Sequence, residues 1–206
     1  MKRLFKTICF VLPLAALLFA SCEEVQEASK YDNWQSRNEA YIDSIAHETK
    51  ILVAKEEDAD QMSVGQLFRI KDDLASTTGT EVYIYCKKIV ANTEGRRPIY
   101  TETVSTYYYG TLITGEKFDG TFNGYSAIDQ EIPSPPDKVV TADFAINNSS
   151  LRTGWKAALQ LMKTGERWMV YLPYQSAYGT SGSGSIPGYS ALAFDLILDD
   201  IVTDEE

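Results

Sequence analysis

Apolar and polar positions along this chain repeat with two different periods. Trp34, Tyr41, Ile42 and Ile45 fall on one face of a 3.6-residue repeat, which predicts an amphipathic helix from Asn33 to about Thr49. A second helical stripe, Leu151, Trp155, Ala158, Leu159 and Met162, predicts a helix over about Arg152 to Lys163, with Asn147 to Ser150 as turn and cap and Gly165 as its stop. Elsewhere the period is two. Glu81 to Val90, Tyr100 to Ile113, Asp143 to Ile146, Arg167 to Leu172 and Leu192 to Val202 each read as strands. The parity within them matters: Tyr107 and Tyr109 face one way and Tyr108 the other, while Leu192, Phe194, Leu196 and Leu198 point inward. Ile51 to Thr80 is weakly patterned, with a short helix or strand within Gln66 to Leu74. Between Gly120 and Asp143, Pro133, Pro135 and Pro136 remove ladder donors and argue against a central strand. Strands, one helix, then strands is an α+β order: an antiparallel sheet packed on a single helix, preceded by a mostly helical accessory segment.

The N-terminus changes the picture. Lys2, Arg3 and Lys6 precede an apolar core from Phe10 to Ala20, too short for the roughly 20 residues of a membrane span and suited to a secretory signal. Leu18-Phe19-Ala20-Ser21-Cys22 resembles the lipobox of a bacterial lipoprotein, which implies that Cys22 becomes a lipidated first residue. Loss of residues 1–21 removes three positive charges and takes the net charge from −10 to −13. Such an acidic chain has no electrostatic footprint for nucleic acid, and anionic headgroups would repel it, so attachment depends on the lipid. Glu23 and Glu24 fit either a sorting signal or the start of a solvated tether. Cys86 is then the one unmodified cysteine, set among apolar strand residues, and no intramolecular disulfide is expected. His47 is the chain's single histidine and has no ligand-spaced companions, so no metal site is expected. The organisation is a signal peptide over 1–21, an acidic tether over 22–32, an accessory segment over 33–78 and a main domain over 79–202.

Within the main domain three groups of residues carry chemistry in a specific order. Tyr108-Tyr109-Gly110 leads to Gly115, Phe118 and Asp119; Leu151 precedes Gly154-Trp155; Ala177-Tyr178-Gly179 leads to Ile186-Pro187 and then to Leu192-Ala193-Phe194-Asp195. Each motif alone is weak, but their order and spacing, from about Gly79 to Val202, resemble an FKBP-type peptidyl-prolyl cis/trans isomerase. The resemblance implies an antiparallel FKBP-like sheet wrapped on one helix. It places Trp155 at the floor of a pocket, with Tyr108, Phe118, Leu151, Ile186 and Phe194 as walls and Asp119 and Tyr178 as polar groups at the rim. A backbone N–H near Leu151-Arg152 would hold one side of the substrate. No cofactor is implied, because amide rotation needs neither a nucleophile nor proton transfer.

Three departures bear on the pocket. Arg152 stands where the family usually has an apolar residue. Ala142, two residues before Phe144, stands about where the family has a pocket phenylalanine, so one wall is expected to be missing. Gly120 to Val140 is longer than the family's usual connection and lacks an arginine that often pairs with the aspartate. The expected function is isomerisation of Xaa-Pro bonds in exported or envelope proteins, on a lipid anchor in the bacterial cell envelope. The alternative is a catalytically weak FKBP-like module that binds peptides or proteins. The stripe on the Trp34 to Ile45 helix suits either a homodimer contact or packing on its own domain.

Overall fold

A computed structural model describes residues 29–122 and 140–202. The signal peptide, Cys22 and most of the tether lie outside the described residues, as do Pro133, Pro135 and Pro136. The elements are α1 (Trp34–Glu48), β1 (Ile51–Val53), α2 (Glu56–Asp60), β2 (Leu67–Lys71), β3 (Tyr83–Val90), β4 (Thr103–Leu112), β5 (Lys117–Gly120), β6 (Ala142–Ala145), α3 (Thr153–Leu159), β7 (Arg167–Leu172), a 3-10 turn at Tyr174–Ser176, and β8 (Leu192–Val202). The strands form one sheet in the order β1-β2-β3-β7-β8-β4-β5, with β6 also paired to β4. All pairings are antiparallel except β1 with β2, which is parallel.

Side-chain parity decides which face each residue serves. In β7 Trp168, Val170 and Leu172 enter the main core, while Met169 and Tyr171 enter a second cluster on the other face. In β8 Leu192, Phe194, Leu196 and Leu198 share the main core, as the alternation predicts. Helix α3 covers that face through Trp155, Ala158 and Leu159. Its approach is close: a Cβ at Gly154 would stand 2.5 Å from Leu172 Cδ2, inside contact distance, so the helix can seat Trp155 against the sheet only with glycine there. The helix is shorter than the stripe suggests, ending at Leu159, although Met162 stays fully buried. Gly165, at φ 80°, turns the chain and donates its N–H to the Leu198 carbonyl at 2.7 Å.

Helix α1 covers the opposite face. Ile45 is buried there, and Tyr41 and Ile42 pack around it against Tyr85, Met169, Tyr171 and Ala193. Its apolar stripe is therefore occupied by its own domain. Burial pushes the Tyr41 phenol up to about 12.

The change of character expected at Gly79 is not a structural boundary. The sheet begins at Ile51, and β2 pairs residue by residue with β3 from Leu67–Lys87 to Lys71–Tyr83. The accessory segment thus supplies one helix of 15 residues, one of five and two strands, rather than being mostly helical. Arg97 ties α2 to the remainder: its Nη2 lies 2.7 Å from Asp60 Oδ1, and Lys163 Nζ lies 2.8 Å from the same oxygen. Arg167–Asp195, between β7 and β8, and Lys88–Glu166, near α2, are buried ion pairs.

Candidate functional site

The site grows out of the α3 face of the core, at the end of the sheet where β4, β5 and β6 meet. Trp155, in the first turn of α3, forms its floor. Three rings stand edge-on to the indole, those of Tyr108, Phe144 and Phe194, each with its centroid 5.1 Å away. Phe118 meets Phe194 at 5.5 Å and 89°, and Tyr108 meets Phe144 at 5.8 Å. Edge-to-face pairs of this kind are worth about 0.5–1.5 kcal/mol each beyond area burial, so the rings hold one another in place. They enclose a cavity of about 270 Å³ whose edge also includes Leu151, Arg152, Asp119 and Tyr178.

Gly110 lets these rings close. A Cβ there would stand 2.7 Å from Phe118 Cζ and 2.8 Å from Phe194 Cε1. No side chain fits between them unless a ring retreats.

The polar groups sit on one side of this apolar bowl. Tyr108 Oη–H donates to Asp119 Oδ2 at 2.8 Å, and the Gly120 N–H donates to Asp119 Oδ1, also at 2.8 Å. Burial, then the neighbouring Asp119 carboxylate, holds the Tyr108 phenol well above its ordinary value, so it remains a donor. Both carboxylate oxygens are thus oriented without an arginine. Tyr178 lies in the loop before β8, and the Arg152 guanidinium packs 5.0 Å from its ring centroid. Arg152 also donates from Nη2 and Nε to the Ser150 carbonyl, at 2.6 and 3.1 Å. The charge expected to make the pocket more polar is held at its edge by these two contacts.

Seven of the eight expected side chains other than Arg152 come together here: Tyr108, Phe118, Asp119, Leu151, Trp155, Tyr178 and Phe194. Ile186 does not. It is buried in the main core cluster beneath the loop, where its residue bridges Ser183, and does not line the cavity. The missing wall is not missing either. Phe144 supplies it, placed on the Tyr108 side of the sheet by the pairing of Phe144 with Val104 on β4. Ala142 pairs with Thr106 on the same strand. Of the two backbone N–H groups at Leu151-Arg152, that of Leu151 is already bonded to the Asn148 carbonyl at 3.1 Å, whereas the Arg152 N–H has no acceptor among the described residues.

A larger groove of about 430 Å³ lies between α3 and the β1–β2 edge, lined by Leu52, Leu74 and Leu161 with Asp72 and Asp73. No aromatic residue lines it, so size does not select the site; the aromatic floor and the oriented carboxylate do.

Comparison with known proteins agrees with this geometry. Residues 95–199 match the family model described as FKBP-type peptidyl-prolyl cis-trans isomerase. The chain is 36% identical over 104 residues to the FKBP-type peptidyl-prolyl cis-trans isomerase FkpA of Aeromonas hydrophila, covering 50% of this chain and 33% of that protein. It is 36% identical over 97 residues to the outer membrane protein MIP of Legionella longbeachae, covering 47% of this chain and 35% of that one. The chain therefore spans about a third of the length of these relatives. A crystal structure of a peptidyl-prolyl cis-trans isomerase from Pseudomonas syringae pv. tomato shares the fold, with TM-score 0.53 and 21% identity over 85% of this chain and 98% of that one.

Proposed function

Because the chain belongs to the FKBP-type peptidyl-prolyl cis-trans isomerase family, we propose that it isomerises Xaa-Pro bonds, in polypeptides of the bacterial envelope, within the Trp155 pocket. The observation that carries this reading is the ring-walled cavity with Tyr178 and an oriented Asp119 on one rim. An Xaa-Pro bond prefers trans only slightly, yet rotation faces a barrier of about 18–20 kcal/mol because twisting breaks amide resonance. The twisted amide carries less charge separation than the planar one. A dry aromatic bowl disfavours the planar ground state relative to the twisted state, and so lowers the barrier.

In this reading the prolyl ring sits over Trp155 between Phe144, Phe118 and Phe194. Tyr178 donates to a substrate carbonyl, and the Arg152 N–H serves a second carbonyl. Asp119 orients the twisting carbonyl electrostatically. No proton changes hands and no cofactor takes part. Lipidation at Cys22 would place the domain at the membrane surface; the basic, apolar and Leu18–Cys22 pattern supports it, as does the likeness to an outer membrane protein. The stripe of α1 packs on its own domain, which gives self-association through that stripe no support.

The test is exchange spectroscopy on a short Xaa-Pro peptide, with the chain from Glu23 onward beside Asp119→Val and Tyr178→Phe. The isomerase reading expects accelerated exchange that falls in both variants, by about fivefold for the single hydrogen bond lost in Tyr178→Phe. An exchange rate equal to that in buffer sinks it. Peptide binding without acceleration would instead establish a binding module, the reading that the charge of Arg152 at the rim favours.

A further inference from the structure

We propose that α1 is a positioning element for the Tyr178 loop, with Asn38 and Trp34 as the residues that hold it; this rests on the isomerase reading of the pocket. Helix α1 precedes the residues matched to the family, yet two of its side chains reach the C-terminal root of the loop that carries Tyr178. Trp34 Nε1–H donates to Ser190 Oγ at 3.0 Å, and the Ser190 hydroxyl donates onward to the Pro187 carbonyl at 2.6 Å. Asn38 Oδ1 accepts the Ala191 N–H at 2.7 Å, while its Nδ2 donates to the Trp34 carbonyl at 2.7 Å. One donor and one acceptor fix which way the Asn38 amide faces. Asn38 is 1% exposed and Ser190 3%. A buried polar network of this kind destabilises the fold if any member loses its partner, so its geometry is strictly held.

What the network holds is a strained turn. Ser190 and Ala191 directly follow Tyr189, whose φ of 61° lies in the left-handed region that bulky residues avoid. Such a conformation persists where the surroundings over-determine it. The Tyr189 N–H donates to the Gly179 carbonyl at 2.9 Å, its ring meets Tyr174 at 5.1 Å, and the Gly179 N–H donates to the Tyr174 carbonyl at 2.8 Å. Contacts therefore run without a break from Asn38 and Trp34, through residues 189–191, to Gly179 and the neighbouring Tyr178 at the cavity edge. Ala177 and Ile186 are buried in the main core and Tyr178 packs against it; the hydrogen bonds at residues 189–191 add the polar restraints that set where the Tyr178 hydroxyl stands.

The test compares Asn38→Ala and Trp34→Phe with Ile45→Ala in the full mature chain. Ile45 belongs to the same helix and is buried against Tyr85, Met169 and Tyr171, but it takes part in none of the hydrogen bonds at the loop root. Amide hydrogen exchange is read at Gly179, Gly182 and Tyr189, and kcat and KM are read on an Xaa-Pro peptide. The positioning role expects both network variants to speed exchange at those amides at least about tenfold and to lower kcat at least about threefold, with KM changing less. Ile45→Ala should lower the urea midpoint as much or more and leave loop exchange and kcat as in wild type. Trp34→Phe removes the pyrrole ring along with the N–H, so Ser190→Ala, which deletes only the hydroxyl that accepts from Trp34 and donates to the Pro187 carbonyl, decides the matter on the same readouts if Asn38→Ala fails to fold. Unchanged loop exchange in the network variants, or equal effects from Ile45→Ala, overturns the proposal. If the wild-type chain shows no turnover the isomerase reading falls, and the exchange measurement alone still decides whether α1 holds the loop.

Discussion

Replacing Gly110 with alanine puts one methyl group between the two rings that close the pocket. The added Cβ would lie 2.7 and 3.0 Å from Phe118 Cζ and Cε2 and 2.8 Å from Phe194 Cε1. Carbon atoms at optimal contact are about 3.5–4.0 Å apart, so at least one ring must retreat by roughly 1 Å. Phe194 has little room, being 4% exposed, backed by Trp155 and paired across the ladder with Gly110 itself. Phe118, half-buried on edge strand β5, is the ring that gives. Overpacking of this kind costs about 1–3 kcal/mol, partly offset by about 0.4–1 kcal/mol from the stiffer unfolded chain. The expected net destabilisation is about 0.5–2 kcal/mol. A wall displaced by about 1 Å can cost up to about 100-fold in rate, so turnover should fall by at least about tenfold. Urea unfolding followed by tryptophan fluorescence gives the first quantity and peptide exchange spectroscopy the second. Gly115→Ala is the control: at φ 79° it is strained, but its Cβ meets nothing within 4 Å, so it should lose stability and keep its turnover. If Gly110→Ala keeps wild-type turnover, or if the two variants behave alike, the claim that Gly110 shapes the pocket is wrong.

Three further outcomes follow from the same geometry. Asp195→Asn leaves Arg167, otherwise bonded at 2.8 Å through Nε and 2.5 Å through Nη2, without its buried counter-charge; it should cost about 3–5 kcal/mol, whereas Arg167→Met with Asp195→Leu should restore most of that loss, and a single variant within 1 kcal/mol of wild type would contradict this. Tyr108→Phe removes the 2.8 Å bond to Asp119; turnover should fall several-fold for a stability change of about 1 kcal/mol. Because the Tyr108 phenol is raised, its protonated form stabilises the fold fully below about pH 10 and this is lost only as pH climbs towards the folded value, so difference absorbance between wild type and Tyr108→Phe should show no tyrosinate forming near pH 10. Arg97 first, and then Lys163, draws the Asp60 carboxyl down to about 2 from 3.8; the stabilisation is present above pH 3.8 and lost as pH falls towards 2. With Asp60 43% exposed, Asp60→Asn should cost under about 1 kcal/mol at neutral pH, and the gap between the two urea midpoints should close over that acid window.

The parts of the fold legible in the chain are those in which one residue period serves two buried faces. β7 and β8 alternate between the α3 side and the α1 side, so Trp168 and Met169, or Phe194 and Ala193, could be assigned by parity alone. β1 could not. It has three residues and gains its partner in parallel across α2, and a pairing of that range leaves no local signature. The pocket shows the same division. Tyr108, Trp155 and Phe194 are continuous with the core, so motif and periodicity both mark them. Phe144 reaches the floor through its pairing with Val104, and Ile186 leaves the pocket because its loop turns it into the core; in each case the deciding contact lies far away in sequence.

The same reasoning explains why the two halves of the site should respond differently to change. The apolar half is an extension of the core: its rings lie on β4, β5, β6, β8 and α3 and brace one another at centroid distances of 5.1–5.8 Å. Truncating Trp155 would therefore remove fold and pocket together, and a loss of activity would reveal little about mechanism. Tyr178, in the polar half, belongs to a loop with no apolar period of its own. Beyond the core contacts of Ala177 and Ile186, the loop is held by hydrogen bonds at Ser190 and Ala191, supplied by a helix more than 150 residues earlier in the chain. Stability and turnover can separate there, because losing one buried bond at the root of a loop can move Tyr178 without unpacking the rings. Substitutions that keep the core and disturb only that root are consequently the ones whose kinetics report on the chemistry of the site.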